Sequence, residues 1–208
     1  MPTAPSGRRN LTCVPSRVAL ALTTLVLCAA GAVFGVWLAT AGGQDPLPAG
    51  WQGAQRPPGT RLPDFTLRNQ DGERVTGASL RGKPVVVAFI YSHCQDVCPA
   101  QVQSIRGALD DLGHDLPVIG VSVDPANDTP QLAKSFLLKQ AMRGRMDFLL
   151  GNRAQLEPVW KAFGIAPQTK GRDHSSYTVI VDAQGRQRIS FPATELTPRG
   201  LASDLAKF

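Results

Sequence analysis

From residue 18 to residue 44 the chain carries no charged side chain, and residues 18–41 are dominated by apolar ones. As a helix rising about 1.5 Å per residue, such a run reaches about 35 Å, enough to cross a hydrocarbon core of about 30 Å. Beyond it the pattern breaks into short elements. Phe65-Thr66-Leu67, a polar turn at Asn69-Gln70-Asp71-Gly72 and Glu73-Arg74-Val75 predict a hairpin. Val85-Val86-Val87-Ala88-Phe89-Ile90-Tyr91 is apolar throughout, which predicts a strand buried on both faces. Val102, Ile105, Leu109 and Leu112 recur at helical spacing. Val118-Ile119-Gly120-Val121-Ser122-Val123 predicts a second buried strand. Thr129-Pro130 and Thr197-Pro198 read as cap and first-turn pairs that open helices. Asp147-Phe148-Leu149 predicts a short strand. Asn152 to Phe163 predicts a helix that Pro158 would kink or start late. Tyr177-Thr178-Val179-Ile180-Val181 and Arg188-Ile189-Ser190-Phe191 predict a second hairpin.

The order predicts an α/β domain with a central sheet flanked by helices, an N-terminal hairpin, and a single transmembrane helix ahead of it all. Four regions follow: an N-terminal arm at 1–17, a transmembrane anchor at 18–41, a linker at 42–60 and a folded domain at 61–208. Nine of the 19 linker residues are Gly or Pro, a composition that suits an extended tether. Arg8, Arg9 and Arg17 precede the apolar run and the next charge, Asp45, is acidic. The positive-inside rule then leaves the N-terminus in the cytoplasm and delivers the domain to the extracytoplasmic (periplasmic) side of the cell membrane. A cleaved signal peptide would normally have a shorter apolar core, although Ala39-Thr40-Ala41 has the form of a cleavage site.

Composition narrows the function. The chain has 208 residues, 43% hydrophobic and 18% charged, with 22 basic and 16 acidic side chains for a net charge of +6. Half of that excess lies in the N-terminal arm. No basic stripe remains to bind nucleic acid, and four cysteines are too few for a disulfide-scaffolded miniprotein. Cys13 falls on the cytoplasmic side and Cys28 in the bilayer, which leaves Cys94 and Cys98 together on the oxidising side.

These two cysteines carry the candidate chemistry. They follow the first buried strand in Tyr91-Ser92-His93-Cys94-Gln95-Asp96-Val97-Cys98-Pro99. Positions i and i+4 share one face of a helical turn, and the end of such a strand is where α/β sheets place their sites. A helix N-terminus stabilises a thiolate. Such a pair can close a disulfide or grip a soft metal ion. A purely stabilising disulfide would enclose so short a loop that it gains about 2 kcal/mol at most. His174, in Gly171-Arg172-Asp173-His174-Ser175-Ser176, stands in a polar loop directly before a late strand. In a thioredoxin-like arrangement that loop faces the cysteine turn. Thioredoxin-type oxidoreductases share a cis-proline there, whereas the nearest proline here is Pro167. Two thiolates and one imidazole form a soft, three-donor set suited to a copper ion; zinc normally takes a fourth ligand.

Gly82-Lys83-Pro84 before the apolar strand, the cysteine turn, Ser122-Val123-Asp124-Pro125 with Asp128-Thr129-Pro130, and Asp173-His174-Ser175-Ser176 occur in that order. Together they resemble the Sco/SenC family of membrane-anchored, thioredoxin-fold copper proteins, over roughly residues 62–207. The resemblance implies Cys94, Cys98 and His174 as metal ligands, and a copper-acceptor subunit of cytochrome c oxidase as partner. It also implies an alternative role, in which Cys94 and Cys98 act as a redox pair. They would then reduce the cysteines of the acceptor and be recharged by a thioredoxin-like reductant. Gln95 stands where the family usually has proline. A peroxidase is disfavoured, because Tyr91 occupies the position where it would carry threonine. Other polar residues read as structural: His93 as a strand-end residue, Asp96 as a first-turn acid, Asp124 and Asp128 as organisers of a loop and cap of a helix, and His114 as solvated. Trp160, spaced with Leu156 and Phe163, reads as core.

Overall fold

The structure is a computed structural model that describes residues 16–41, 50–168 and 175–208, with the side chains of residues 20–34 only in the first segment. The chain divides into two units, Met1–Gln44 and Asp45–Phe208. In the first, α1 runs from Ser16 to Ala41, 26 residues, and its described side chains are exposed. Among the described residues no helix is long and apolar enough to cross a membrane. The apolar run at residues 18–41 is helical, and a membrane span there is not shown.

In the second unit the elements follow the expected order. They are β1 (Ala54–Gln55), β2 (Thr66–Arg68), β3 (Arg74–Thr76), a short 3-10 turn (Ala78–Leu80), β4 (Val85–Ile90), α2 (Val97–Leu112) and β5 (Val118–Ser122). Then come α3 (Pro130–Lys139), β6 (Asp147–Leu149), α4 (Arg153–Phe163), β7 (Tyr177–Val181), β8 (Gln187–Pro192) and α5 (Pro198–Leu205). Six strands form one sheet in the order β1-β8-β7-β4-β5-β6, and β2 pairs with β3 alone. The β4–β5 and β5–β6 pairs are parallel, joined through α2 and α3; β4–β7, β7–β8 and β8–β1 are antiparallel. Parallel neighbours need such helical crossovers, while among the antiparallel pairs β7 and β8 are joined by a hairpin. The result is the thioredoxin-like sheet that the pattern predicts.

β4 is central, and all six of its residues are buried. Val86, Ala88 and Ile90 pack with Val102, Ile105 and Leu109 of α2 and with Leu201 and Leu205 of α5. Val85, Val87 and Phe89 face the other layer, with Leu156, Trp160 and Phe163 of α4 and Leu67 and Val75 of the β2–β3 hairpin. Period-two alternation between two dry layers is why the run is apolar throughout. The strand-borne ends of β4 and β5 are joined by a bond from Val123 N–H to Ile90 O at 3.0 Å.

Helix starts follow local chemistry. Thr129 Oγ1 accepts from Leu132 N and Thr197 Oγ1 from Gly200 N, each with proline in the first turn. Asn152 and Gln155 form a reciprocal capping box, so α4 begins at Arg153 and contains Pro158 instead of being delayed by it. The two satisfied donors at its start offset the backbone bond that the proline removes.

The linker expectation for residues 42–60 differs from the structure in its described part. Residues 54–55 form β1, pairing with Ile189 and Ser190 at the edge of the sheet. Just before it, the Asp204 carboxylate on α5 accepts from the N–H groups of Gln52 (3.0 Å) and Gly53 (2.9 Å) and from Lys207 Nζ (3.1 Å). Lys207 Nζ lies 4.5 Å from the centre of the Trp51 ring, which also packs on Phe208. A Gly/Pro-rich composition disfavours a central strand but not a two-residue edge strand held by a carboxylate. Asp204→Ala leaves these two N–H groups without their acceptor. We expect it to lower the unfolding free energy of the full chain by about 2 kcal/mol, measured by denaturant titration. Amide exchange at residues 52–56 should quicken first.

Candidate metal and redox site

β4 ends at Ile90, and the chain turns through residues 91–96 before α2 begins at Val97. Asp96 occupies the N-cap without a side-chain bond to the helix. Cys98 is in the first turn. Its N–H donates to Cys94 Sγ at 3.3 Å. Both are free cysteines. Cys94 is 9% exposed and Cys98 fully buried.

This contact makes the two sulfurs chemically unlike. The Cys94 thiol is lowered to about 5, chiefly because the Cys98 thiol donates to it. Burial opposes the shift, and the N–H groups of Cys98 and Asp96 and the Tyr91 side chain support it. Cys98 is pushed well above the usual thiol range, first by that same bond and then by burial, with the charges of Cys94 and Asp128 adding to it. The two shifts run in opposite directions, so Cys94 is the more readily ionised sulfur and Cys98 the one that holds its proton. Cys94 lines a cavity of about 430 Å³ with Tyr91, Asp96, Ser176, Tyr177 and Pro192. A larger cavity of about 540 Å³ between the β2–β3 hairpin and α3 contains neither cysteine.

The turn is held from below by Asp128. Its Oδ1 accepts from Ser92 N–H at 2.7 Å and Ser92 Oγ at 2.6 Å, and its Oδ2 accepts from the Ser122 hydroxyl. The side chain is wholly buried. Desolvation raises its pKa, against the opposing pull of these hydrogen bonds. Asp128 thus organises the loop, as its motif suggests. Capping of α3 falls to Thr129. Asp124 accepts both bonds from Asn127 Nδ2 and lies 3.3 Å from His93 Nε2. His93 stands on Tyr91, edge to face at 4.7 Å. Its Nδ1 lies 4.0 Å from Asp128 Oδ1. His114 is exposed, and Trp160 is core, with its indole N–H bonded to Ser122 O at 2.9 Å.

His174 lies outside the described residues, so the three-donor set is represented by its two sulfurs. Among the described residues no group of three or more His, Cys, Asp or Glu is arranged to hold a metal ion. The flanks of the 169–174 segment are described. Gln168 N–H donates to Val123 O (3.0 Å), Ser175 N–H to Ala166 O (3.1 Å) and Ala193 N–H to Ser176 O (2.9 Å). Both flanks therefore close on the end of the sheet where β4 delivers the cysteines. Sequence reasoning missed Ser92 as the partner of Asp128. A serine two residues before Cys94 carries no pattern of its own until its acceptor is known.

The profile of the SCO1/SenC family matches residues 53–208. The SCO1 protein homolog of Bacillus subtilis is 30% identical over 179 residues, 81% of this chain and 88% of that protein. The structure of Bradyrhizobium japonicum ScoI with copper bound superimposes with a TM-score of 0.57 at 30% identity, covering 71% of this chain and 99% of that one. BsSco is described as having a disulfide switch and as a member of the Sco family of cytochrome c oxidase assembly proteins. It gives a TM-score of 0.62 at 28% identity over 71% of this chain and 92% of its own.

Alkylation should separate the two thiols. The rate at Cys94 is expected to rise through a midpoint near pH 5, below which the thiolate is protonated, while Cys98 stays unmodified in the folded protein. In Cys98→Ala the midpoint should climb toward the ordinary thiol value of about 8.5, since the largest stabilising bond is gone. Mass spectrometry after timed labelling reads both. Asp128→Ala should cost about 1–2 kcal/mol of stability by stranding the Ser92 and Ser122 donors, measured by denaturant unfolding.

Proposed function

The chain belongs to the SCO1/SenC family, and on that premise we propose that it is a membrane-anchored, extracytoplasmic copper chaperone that assists assembly of the copper centre of cytochrome c oxidase. The observation that carries the reading is the contact between the two cysteines, with the N–H of Cys98 at the start of α2 donating to Cys94 Sγ at 3.3 Å. A pair of adjacent thiolates fits a soft copper ion, and an imidazole completes a three-donor set. Cys94, Cys98 and His174 would hold it. The described flanks at Gln168 and Ser175 support His174 in this role, because they are bonded at the end of the sheet from which the cysteine loop leaves β4.

Copper is cargo here. Its transfer is ligand exchange without net redox change: an acceptor thiolate bonds to the ion as one donor thiolate leaves it. Exchange begins at Cys94, the sulfur that borders the 430 Å³ cavity, and ends at Cys98, which is closed off from solvent. An N-terminal anchor and linker would keep donor and acceptor at one membrane, where effective concentration is high.

The unlike thiols also favour a second reading, a thiol–disulfide reductase acting on the acceptor. The Cys94 thiolate would attack an acceptor disulfide and form a mixed disulfide as one acceptor thiolate departs. Cys98 would then lose its proton and attack Cys94, releasing the second acceptor thiolate and leaving a Cys94–Cys98 disulfide. A thioredoxin-like reductant would return two electrons to regenerate the pair.

Titration of the reduced full chain with copper separates the readings. The chaperone reading expects one-to-one binding with thiolate-to-copper charge-transfer absorption, and a loss of at least tenfold in affinity in His174→Ala. Absence of stoichiometric binding, or affinity unchanged in His174→Ala, would sink it. Reduction of a disulfide-bonded acceptor that survives His174→Ala but stops in Cys98→Ser would establish the reductase instead.

A further inference from the structure

We infer that Gln101 is a positioning residue, one that locks the start of β7 to the cysteine-bearing helix and so sets where the chain leaving His174 joins the sheet. The inference rests on the copper reading above. Gln101 lies on α2 three residues after Cys98, on the same side of the helix. It is 1% exposed. Its Nε2 donates to Tyr177 O at 3.0 Å and to Thr178 Oγ1 at 2.9 Å. A carbonyl can only accept, so the amide nitrogen must face β7.

Tyr177 is the first residue of β7 and stands three positions after His174. The bonds that pin the flanks of the 169–174 segment run to Val123, Ala166 and Ala193. They hold these flanks to the end of the sheet and to neighbouring loops. Gln101 adds a link to the helix itself. One side chain therefore joins the two parts of the chain that must bring sulfur and nitrogen together.

The amide is kept at a cost. Among the described residues Gln101 Oε1 has no hydrogen-bond partner although it is buried, and a buried acceptor without a donor is unfavourable. Methionine, of similar length and apolar, would occupy the space without that penalty. What methionine lacks is the pair of N–H donors, which is what the position uses.

The test compares the reduced full chain with Gln101→Met, each in the parent and in the His174→Ala background. Copper affinity is read by competition with a chromophoric chelator, and nitrogen hyperfine coupling by EPR of the Cu(II) form. In the parent background Gln101→Met should lower copper affinity by tenfold or more and weaken the nitrogen coupling. The disulfide potential of Cys94 and Cys98 should stay unchanged, since both sulfurs belong to α2 and its N-terminal turn. In the His174→Ala background the same substitution should cause no further loss. Equal losses in both backgrounds, or unchanged affinity and coupling in the parent, would overturn the inference. Should Gln101→Met fail to fold, Thr178→Val removes one of the two acceptors. It should then show a smaller loss with the same dependence on His174, and a loss without that dependence overturns the inference. A parent chain that binds no copper defeats the copper reading and this inference together; a parent that binds, beside an unaltered Gln101→Met, defeats this inference alone.

Discussion

The contact between two neighbouring sulfurs governs the chemistry of this domain. Cys98 donates from both its thiol and its backbone N–H toward Cys94. The turn into α2 thereby makes two identical residue types unlike: both are buried, but Cys94 borders a cavity while Cys98 is closed off from solvent. The same separation serves metal binding and disulfide exchange. In each, an incoming group must meet an anionic sulfur first, and a second sulfur must be near enough to follow. The remainder of the fold can be understood as what keeps that turn in register against the thermal freedom of a surface loop.

Three buried polar devices do this from three directions. β4 ends inside the sheet, and the Val123–Ile90 bond carries it alongside β5 to the point of exit. Asp128 takes the first free donors after that exit, Ser92 N–H and Oγ, and fastens them to Ser122 on β5. Gln101 reaches across from the helix to β7. Asp128 is costly to bury as an anion, and its raised pKa expresses that cost. Its value is directional: a carboxylate with several donors fixes a loop in a way that an apolar side chain cannot. Its charge also opposes ionisation of Cys98, so the device that positions the turn reinforces the asymmetry between the thiols.

The sequence makes the scaffold legible where one physical cause dominates. The unbroken apolar run of β4 follows from burial on both faces, and Thr-Pro pairs announce α3 and α5 because cap and first-turn preferences are local. The cysteine pair is equally clear from its spacing, although the helical turn expected to carry both holds only Cys98: α2 begins at Val97 and Cys94 lies in the loop before it. What stays hidden depends on partners far along the chain. Asp204 is an acid near the C-terminus until Gln52 and Gly53 fold onto it, 152 and 151 positions away. β1 hides within a Gly/Pro-rich stretch because two edge residues leave no periodicity. Pro158 reads as a break, yet a capping box that starts six residues earlier, at Asn152, holds the helix start. Gln101 looks like one more polar residue on an amphipathic helix, and only its burial marks it out.

Gln95 shows how a departure from a family pattern can leave the chemistry intact. The residue is exposed and lies between the two cysteines. A proline there would fix one backbone angle and remove one N–H. The donors that stabilise the Cys94 thiolate are instead the Cys98 thiol and the N–H groups of Cys98 and Asp96, with the Tyr91 side chain beside them. None of them belongs to residue 95. The freedom that glutamine adds is therefore confined to the outer side of the turn, while the inner side is held by Ser92 on Asp128 and by the first bonds of α2. The contact between the sulfurs depends on the anchored ends of the turn more than on the stiffness of its middle, which is why one substituted position need not disturb the pair.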